Sequence, residues 1–160
     1  MGRIDDRLAE LGLELPPEIK VPQDVVLPFA FVNIRGDRAY ISGHGPQAPD
    51  GSMAPPFGRV GDTVTVEEGI EAARLTALSI LGSLRRTLGE LDRITGWHKV
   101  LGMVSSAPGF DRQPTVINGF SDLILEVFGP EVGRHSRSAV GMAALPFGIP
   151  VEVEAEVGIR

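Results

Sequence analysis

The chain has 160 residues, 42 % apolar and 22 % charged, with no cysteine and a formal net charge of −6, a composition expected of one globular domain. Disulfides, thiolate catalysis and cysteine-bound zinc are excluded. A pI near 5.0 and no basic run beyond Arg85-Arg86 argue against nucleic-acid binding, which draws much of its affinity from phosphates neutralised by Lys and Arg.

Ile4, Leu8, Leu11 and Leu15 recur at helical spacing, so a short helix is expected over residues 4–15, stopped by Pro16-Pro17, although Gly12 interrupts the pattern. The N-terminus mixes acids and bases and has no apolar core, so no signal peptide is expected. No apolar run approaches 18 residues, so no membrane span is expected either. The default compartment is the cytoplasm, and a cysteine-free chain fits its reducing conditions.

Phe29 to Ile34 and Arg38 to Gly43, split by Gly36-Asp37, predict a β-hairpin. The Pro- and Gly-rich stretch from His44 to Gly61 reads as a loop long enough to form a functional rim. Thr65-Val66-Glu67-Glu68 is a capping box that opens a helix running to about Leu88, with Ile70, Ala73, Ala77, Leu81, Leu84 and Leu88 as its buried stripe and Gly89 at its C-terminus. Trp97 to Ser105 reads as a strand. A second long helix starts at Pro114, buries Val116, Ile117, Phe120, Leu123, Ile124 and Val127, and ends at Gly129-Pro130.

The C-terminal stretch HSRSAVGMAALPFGIPVEVEAEV reads as a closing hairpin, Ser136 to Met142 and Val151 to Val157. In its second strand Val151, Val153, Ala155 and Val157 share one face and Glu152, Glu154 and Glu156 the other. Three carboxylates in a row close to Arg134, His135 and Arg137 make either a solvated face or a site that holds an anion and activates water. The order β-hairpin, α, β, α, β-hairpin predicts an α+β two-layer sandwich with the helices on one face of a mixed sheet. Strands apolar on both faces, such as Val100 to Val104, leave the other face needing cover, and a second copy of the chain is the simplest cover.

Familiar catalytic motifs are missing. There is no Walker loop, no GxGxxG after a strand and no GxSxG elbow. His44, His98 and His135 lack metal-ligand spacing, so no metal is expected. What remains is Arg137, able to grip a carboxylate through a two-pronged fork or to pair with Glu152 or Glu154. Ser42 at a strand end and Asn118 near a helix start also remain, each unremarkable alone.

RSAV…LPFGIPVEVEAEV, together with Ser42-Gly43 and Asn118, resembles the signature of the Rid family of enamine/imine deaminases, formerly grouped as L-PSP endoribonucleases. The resemblance spans residues 28–157. It divides the chain into an N-terminal helical extension, 1–27, and a Rid-like domain, 28–160. It implies a chorismate-mutase-like fold, a homotrimer with sites between subunits, and cofactor-free hydrolysis of 2-iminopropanoate-type imines or enamines to 2-keto acids and ammonia. By the same resemblance Arg137 binds the substrate carboxylate and Glu152 polarises the attacking water. Ser42, Asn118, Phe29, Gly43 and His44 line the pocket, with His44 read as a rim residue more than as a substrate contact. Glu154 and Glu156 fall in the subunit interface or solvent. The chain departs from the pattern where Phe29 replaces a tyrosine, His44 a glutamine and Ala139 a cysteine, and Phe147-Gly148 in the turn is a further subgroup feature. These departures bear on substrate preference. Three readings follow: an imine deaminase, a non-catalytic trimer binding a small carboxylate or a partner protein, and a related hydrolase or deaminase acting on another acid. Ribonuclease activity is disfavoured by the acidic pI and the absence of a basic stripe.

Overall fold

The computed structural model describes residues 2–160. Its elements are α1 (Arg3–Glu10), β1 (Val32–Arg35), β2 (Arg38–His44), α2 (Val66–Leu88), β3 (Ile94–Ser105), α3 (Gln113–Gly133), β4 (Ser136–Met142) and β5 (Val151–Ile159). The five strands form one mixed sheet in the order β1-β2-β5-β3-β4, and the architecture is α+β, as the element pattern predicts.

Local chemistry explains most boundaries. The tight turn between β1 and β2 sets Gly36 at φ 57°, which costs glycine nothing, and pairs Arg35 with Arg38 and Val32 with Ile41. α2 opens on the full capping box, with Glu68 N–H donating to Thr65 Oγ1 and Thr65 N–H donating to Glu68 Oε2. α3 buries the expected stripe and breaks its helical geometry at Gly129, just before Pro130. α1 is shorter than its apolar spacing predicts. Gly12 takes φ 65°, with Gly12 N–H bonded to Ala9 O and Leu13 N–H to Leu8 O. This paired capping pattern ends a helix, so Gly12 rather than Pro16-Pro17 stops it. Ile4 and Leu8 nevertheless join the same core as the sheet and long helices.

The closing hairpin is not formed. β4 and β5 do not pair; β3 lies between them, parallel to β4 and antiparallel to β5. After β3 the chain crosses back through α3 and lays β4 beside β3, a β-α-β unit. Residues 143–150 then step over the end of β3, where Ser105 N–H donates to Pro150 O. β5 fills the gap between β3 and β2.

Both long helices cover one face of the sheet. They approach closely where Gly119 faces the Ile70 carbonyl, so a Cβ there would overlap it, and α3 lies on β3 where a Cβ at Gly102 would sit 2.6 Å from Ile117. Phe120, fully buried, meets Trp97 edge-on with ring centroids 5.9 Å apart. Removing such a ring from a packed core costs roughly 3–5 kcal/mol. The opposite face carries Tyr40, Ser42, Leu101, Met103 and the three glutamates, and is open. Among the described residues no helix is long and apolar enough to cross a membrane.

Candidate functional site

The sequence-predicted residues fall into two clusters. The first lies between the start of α3 and the edge strand β4. Arg137 is in register with Val100, a core residue, so its side chain leaves the sheet on the helix side and meets α3. Its Nη1 donates to Asn118 Oδ1 at 2.8 Å and to Ser121 Oγ at 3.1 Å, and Nη2 reaches Pro114 O at 3.4 Å. No carboxylate lies within ion-pair distance of it among the described residues, so the alternative of a structural pair with Glu152 or Glu154 does not hold. Among the described residues Nε–H and one Nη2–H have no protein partner, leaving a fork that suits a planar anion.

Ser121 and His135 stand behind this arginine. His135 Nδ1 is 2.7 Å from Gly133 O, and its Nε2 is 2.9 Å from Ser121 Oγ. A carbonyl only accepts, so Nδ1 carries the proton and Nε2 is an acceptor for the Ser121 hydroxyl. Burial holds the His135 pKa below its usual value; the Gly133 bond opposes this and Arg137 adds to it.

The second cluster lies where β2 meets the start of β5. Ser42 Oγ donates to Ala30 O at 2.7 Å. The β2–β5 ladder bulges between Ile41 and His44, and Glu152 settles over the bare backbone of Gly43, where any Cβ would collide with its Oε1. The Glu152 carboxyl is raised above the usual range, first by burial and then by the charge of Glu154. Such a group sits closer to neutral pH, where it can both take and give a proton. Glu154 is exposed, and Glu156 pairs with Arg38 and lies 3.8 Å from His98. Phe29 is half exposed and edge-on to Phe31 at 5.7 Å.

His44 is not on the rim. It is 1 % exposed, its Nδ1 is 2.6 Å from Ser42 O and its Nε2 is 2.8 Å from Ser83 Oγ on α2. The bulge is the cause: one extra residue in β2 turns His44 toward the helices, where strict alternation would have turned it out. Burial drives its pKa down to about 4, partly offset by the Ser42 carbonyl bond and lowered further by Arg86.

A single chain does not join the two clusters. Glu152 is in register with Met103 and projects to the open face, whereas Arg137 projects to the helix face. Their strands also stand two spacings apart, roughly 10 Å. The open face holds a groove of about 850 Å³ lined by Phe29, Tyr40, Ser42, Leu101, Glu154 and Glu156 among others; Glu152, two residues before Glu154, is not part of its lining. Among the described residues no group of three or more His, Asp or Glu is placed to hold a metal ion. The sequence did not single out Ser121 as a partner of Arg137, and it placed His135 near the carboxylate row rather than behind Arg137, though both were within reach. Ser121 lies three residues after Asn118 on one helix face, and His135 lies two residues before Arg137, just ahead of the strand that carries it.

The model of the family described as "YjgF/chorismate_mutase-like, putative endoribonuclease" matches residues 5–151. Protein TCP17 of Trypanosoma cruzi is 42 % identical over 159 residues, covering 99 % of this chain and 96 % of its own. The crystal structure of Atu1372 from Agrobacterium tumefaciens, described as of unknown function, has a TM-score of 0.88 and 40 % identity over 99 % of this chain and 93 % of that one. A "putative endoribonuclease" from Shewanella oneidensis has a TM-score of 0.85 and 31 % identity over 98 % and 99 %.

Proposed function

Because the chain belongs to the YjgF/chorismate mutase-like family, the family its C-terminal signature resembles, we propose that it is a reactive-intermediate deaminase that hydrolyses small 2-imino or enamine acids to 2-keto acids and ammonia. One observation carries this reading. The Arg137 guanidinium is held by the neutral groups Asn118 and Ser121, with no carboxylate counter-ion among the described residues and two N–H groups left for a ligand. A cation so placed favours a small anionic ligand, and a 2-imino carboxylate is one whose reactive carbon lies next to the gripped group.

The chemistry then needs one water and one acid–base group. Water attacks the imine carbon, and Glu152 takes the proton that the water loses. Glu152 returns that proton to the nitrogen, which completes the carbinolamine. The carbinolamine hydroxyl then passes its own proton by way of Glu152 to the same nitrogen, the C–N bond breaks, ammonia leaves and the C=O of the 2-keto acid forms. Atoms balance with water as the only co-reactant, and the imine is electrophilic enough to react once positioned. Ser42 and Gly43 line the water side, Asn118 the carboxylate side.

Two copies are required. Since Arg137 and Glu152 face opposite sides of one sheet, a substrate gripped by both sits between chains, with the β4 edge of one copy against the open groove of the next. Repeated around a three-fold axis, this head-to-tail contact closes as a homotrimer, with the apolar side chains Leu101 and Met103 in its interface. A second reading, a trimer that binds a small carboxylate without turnover, is favoured by Phe29, which brings no hydroxyl to the pocket.

The test is the decay of 2-iminopropanoate generated by an amino-acid oxidase from alanine, with semicarbazide trapping whatever survives. Less trapped imine with wild type than with Arg137→Ala supports the deaminase. Equal trapping by both proteins, together with stabilisation of wild type alone by pyruvate, supports the binding protein.

A further inference from the structure

We propose that Ser121 and His135 are positioning residues that aim the Arg137 fork. The proposal takes from the function above only the identity of what the fork grips. An arginine side chain has several rotatable bonds, so a fork that must meet a carboxylate in one geometry needs its free hydrogens assigned in advance. Here Nη1 donates to both Asn118 Oδ1 and Ser121 Oγ, and Nη2 makes one long contact to Pro114 O, so among the described residues Nε–H and one Nη2–H are left for a ligand.

Ser121 can accept from Nη1 only while its own hydroxyl hydrogen points elsewhere. His135 provides that direction. The Gly133 carbonyl fixes the proton on Nδ1, so Nε2 offers a lone pair at 2.9 Å to the hydroxyl. The chain of donors runs one way, from Arg137 to Ser121 to His135 to Gly133 O. Ser121 lies on α3, and His135 sits between α3 and β4 with its ring edge-on to Phe120 at 6.3 Å. The relay therefore ties the arginine's orientation to the packed core rather than to the exposed strand edge. Neither residue need touch the substrate.

The experiment compares Ser121→Ala, Ser121→Thr and His135→Phe with wild type in three readouts: the KM and kcat for 2-iminopropanoate, the affinity for pyruvate, and the side-chain Nε–H resonance of Arg137 in the ligand-free protein. Losing one hydrogen bond to a charged group is expected to raise KM and the pyruvate Kd about tenfold in Ser121→Ala. kcat should change much less, because the fork binds ground state and transition state alike. Ser121→Thr keeps the hydroxyl and should restore both constants. His135→Phe keeps the ring packing and should raise both constants less than Ser121→Ala does. The Arg137 Nε–H signal, sharp in wild type, should broaden in Ser121→Ala and His135→Phe whether or not the protein turns over imines, so this readout stands apart from the deaminase reading. Unchanged KM, pyruvate affinity and Nε–H signal in both variants, with the fold intact, would overturn the proposal. So would a loss of kcat alone, or a loss in Ser121→Ala that threonine does not restore.

Discussion

Replacing His44 by glutamine should change how stability depends on pH, and the sign and size follow from its burial. In the folded chain His44 is neutral, with its pKa lowered from 6.5 to about 4. Between those values the unfolded chain binds a proton that the folded chain does not, so stability rises with pH across the window. The contribution is whole above pH 6.5 and is lost as pH falls toward 4. From these pKa values the loss amounts to about 2 kcal/mol at pH 5 relative to pH 8, approaching about 3 kcal/mol at pH 4. His44→Gln removes the titration while leaving every other group in place. At pH 8 it should be less stable than wild type by about 1–3 kcal/mol, because the Ser42 carbonyl and Ser83 hydroxyl lose buried partners. At pH 5 that deficit should shrink by about 2 kcal/mol. Urea unfolding of both proteins at equal concentration, from pH 8 down to pH 4.5, measures the difference, and titrations common to both cancel. Parallel stability curves would refute the claim that His44 is buried and neutral.

Other expectations are more local. Gly43→Ala should displace the Glu152 carboxylate from the backbone it rests on, and imine turnover should fall at least tenfold with little loss of stability, since the colliding atoms end a flexible side chain. Glu152→Gln should abolish turnover yet raise stability at pH 8. The folded carboxyl binds its proton more tightly than the unfolded one, so the charged form is the destabilising one, and the advantage should fade as pH falls toward the carboxylate range. Thr65→Ala removes one half of the α2 capping box and should cost about 1 kcal/mol in urea unfolding with activity unchanged.

Local signals in the chain carried most of the fold. α2 was readable because Thr65, Glu68 and Gly89 mark its ends chemically, and α3 because six apolar residues keep one helical face. The β1–β2 hairpin was readable from a two-residue glycine turn. The partner of β4 was not, because alternation tells which face a side chain takes and not which strand lies beside it; the β-α-β crossover through α3 settles that at a longer range. His44 was misjudged for a related reason, since one bulged residue reverses the face of everything after it. Gly12 stops α1 three residues before the apolar spacing gives out, as the capping bonds at its backbone outweigh the pull of Leu15. At the site, Arg137 stood out as a charged residue at the start of an otherwise small and apolar strand. That it and Glu152 face opposite ways became visible only with β3 inserted between their strands.

In the proposed function one site draws Arg137 and Glu152 from different copies of the chain. Mixing Arg137→Ala with Glu152→Gln tests it most directly. Each variant alone should leave 2-iminopropanoate decay at the uncatalysed rate. Unfolded together at equal amounts and refolded, random assortment into a trimer should return about a quarter of wild-type activity, because one site in four then pairs an intact Arg137 with an intact Glu152. No recovery in a mixture shown by native mass spectrometry to contain mixed oligomers would contradict a site shared between copies.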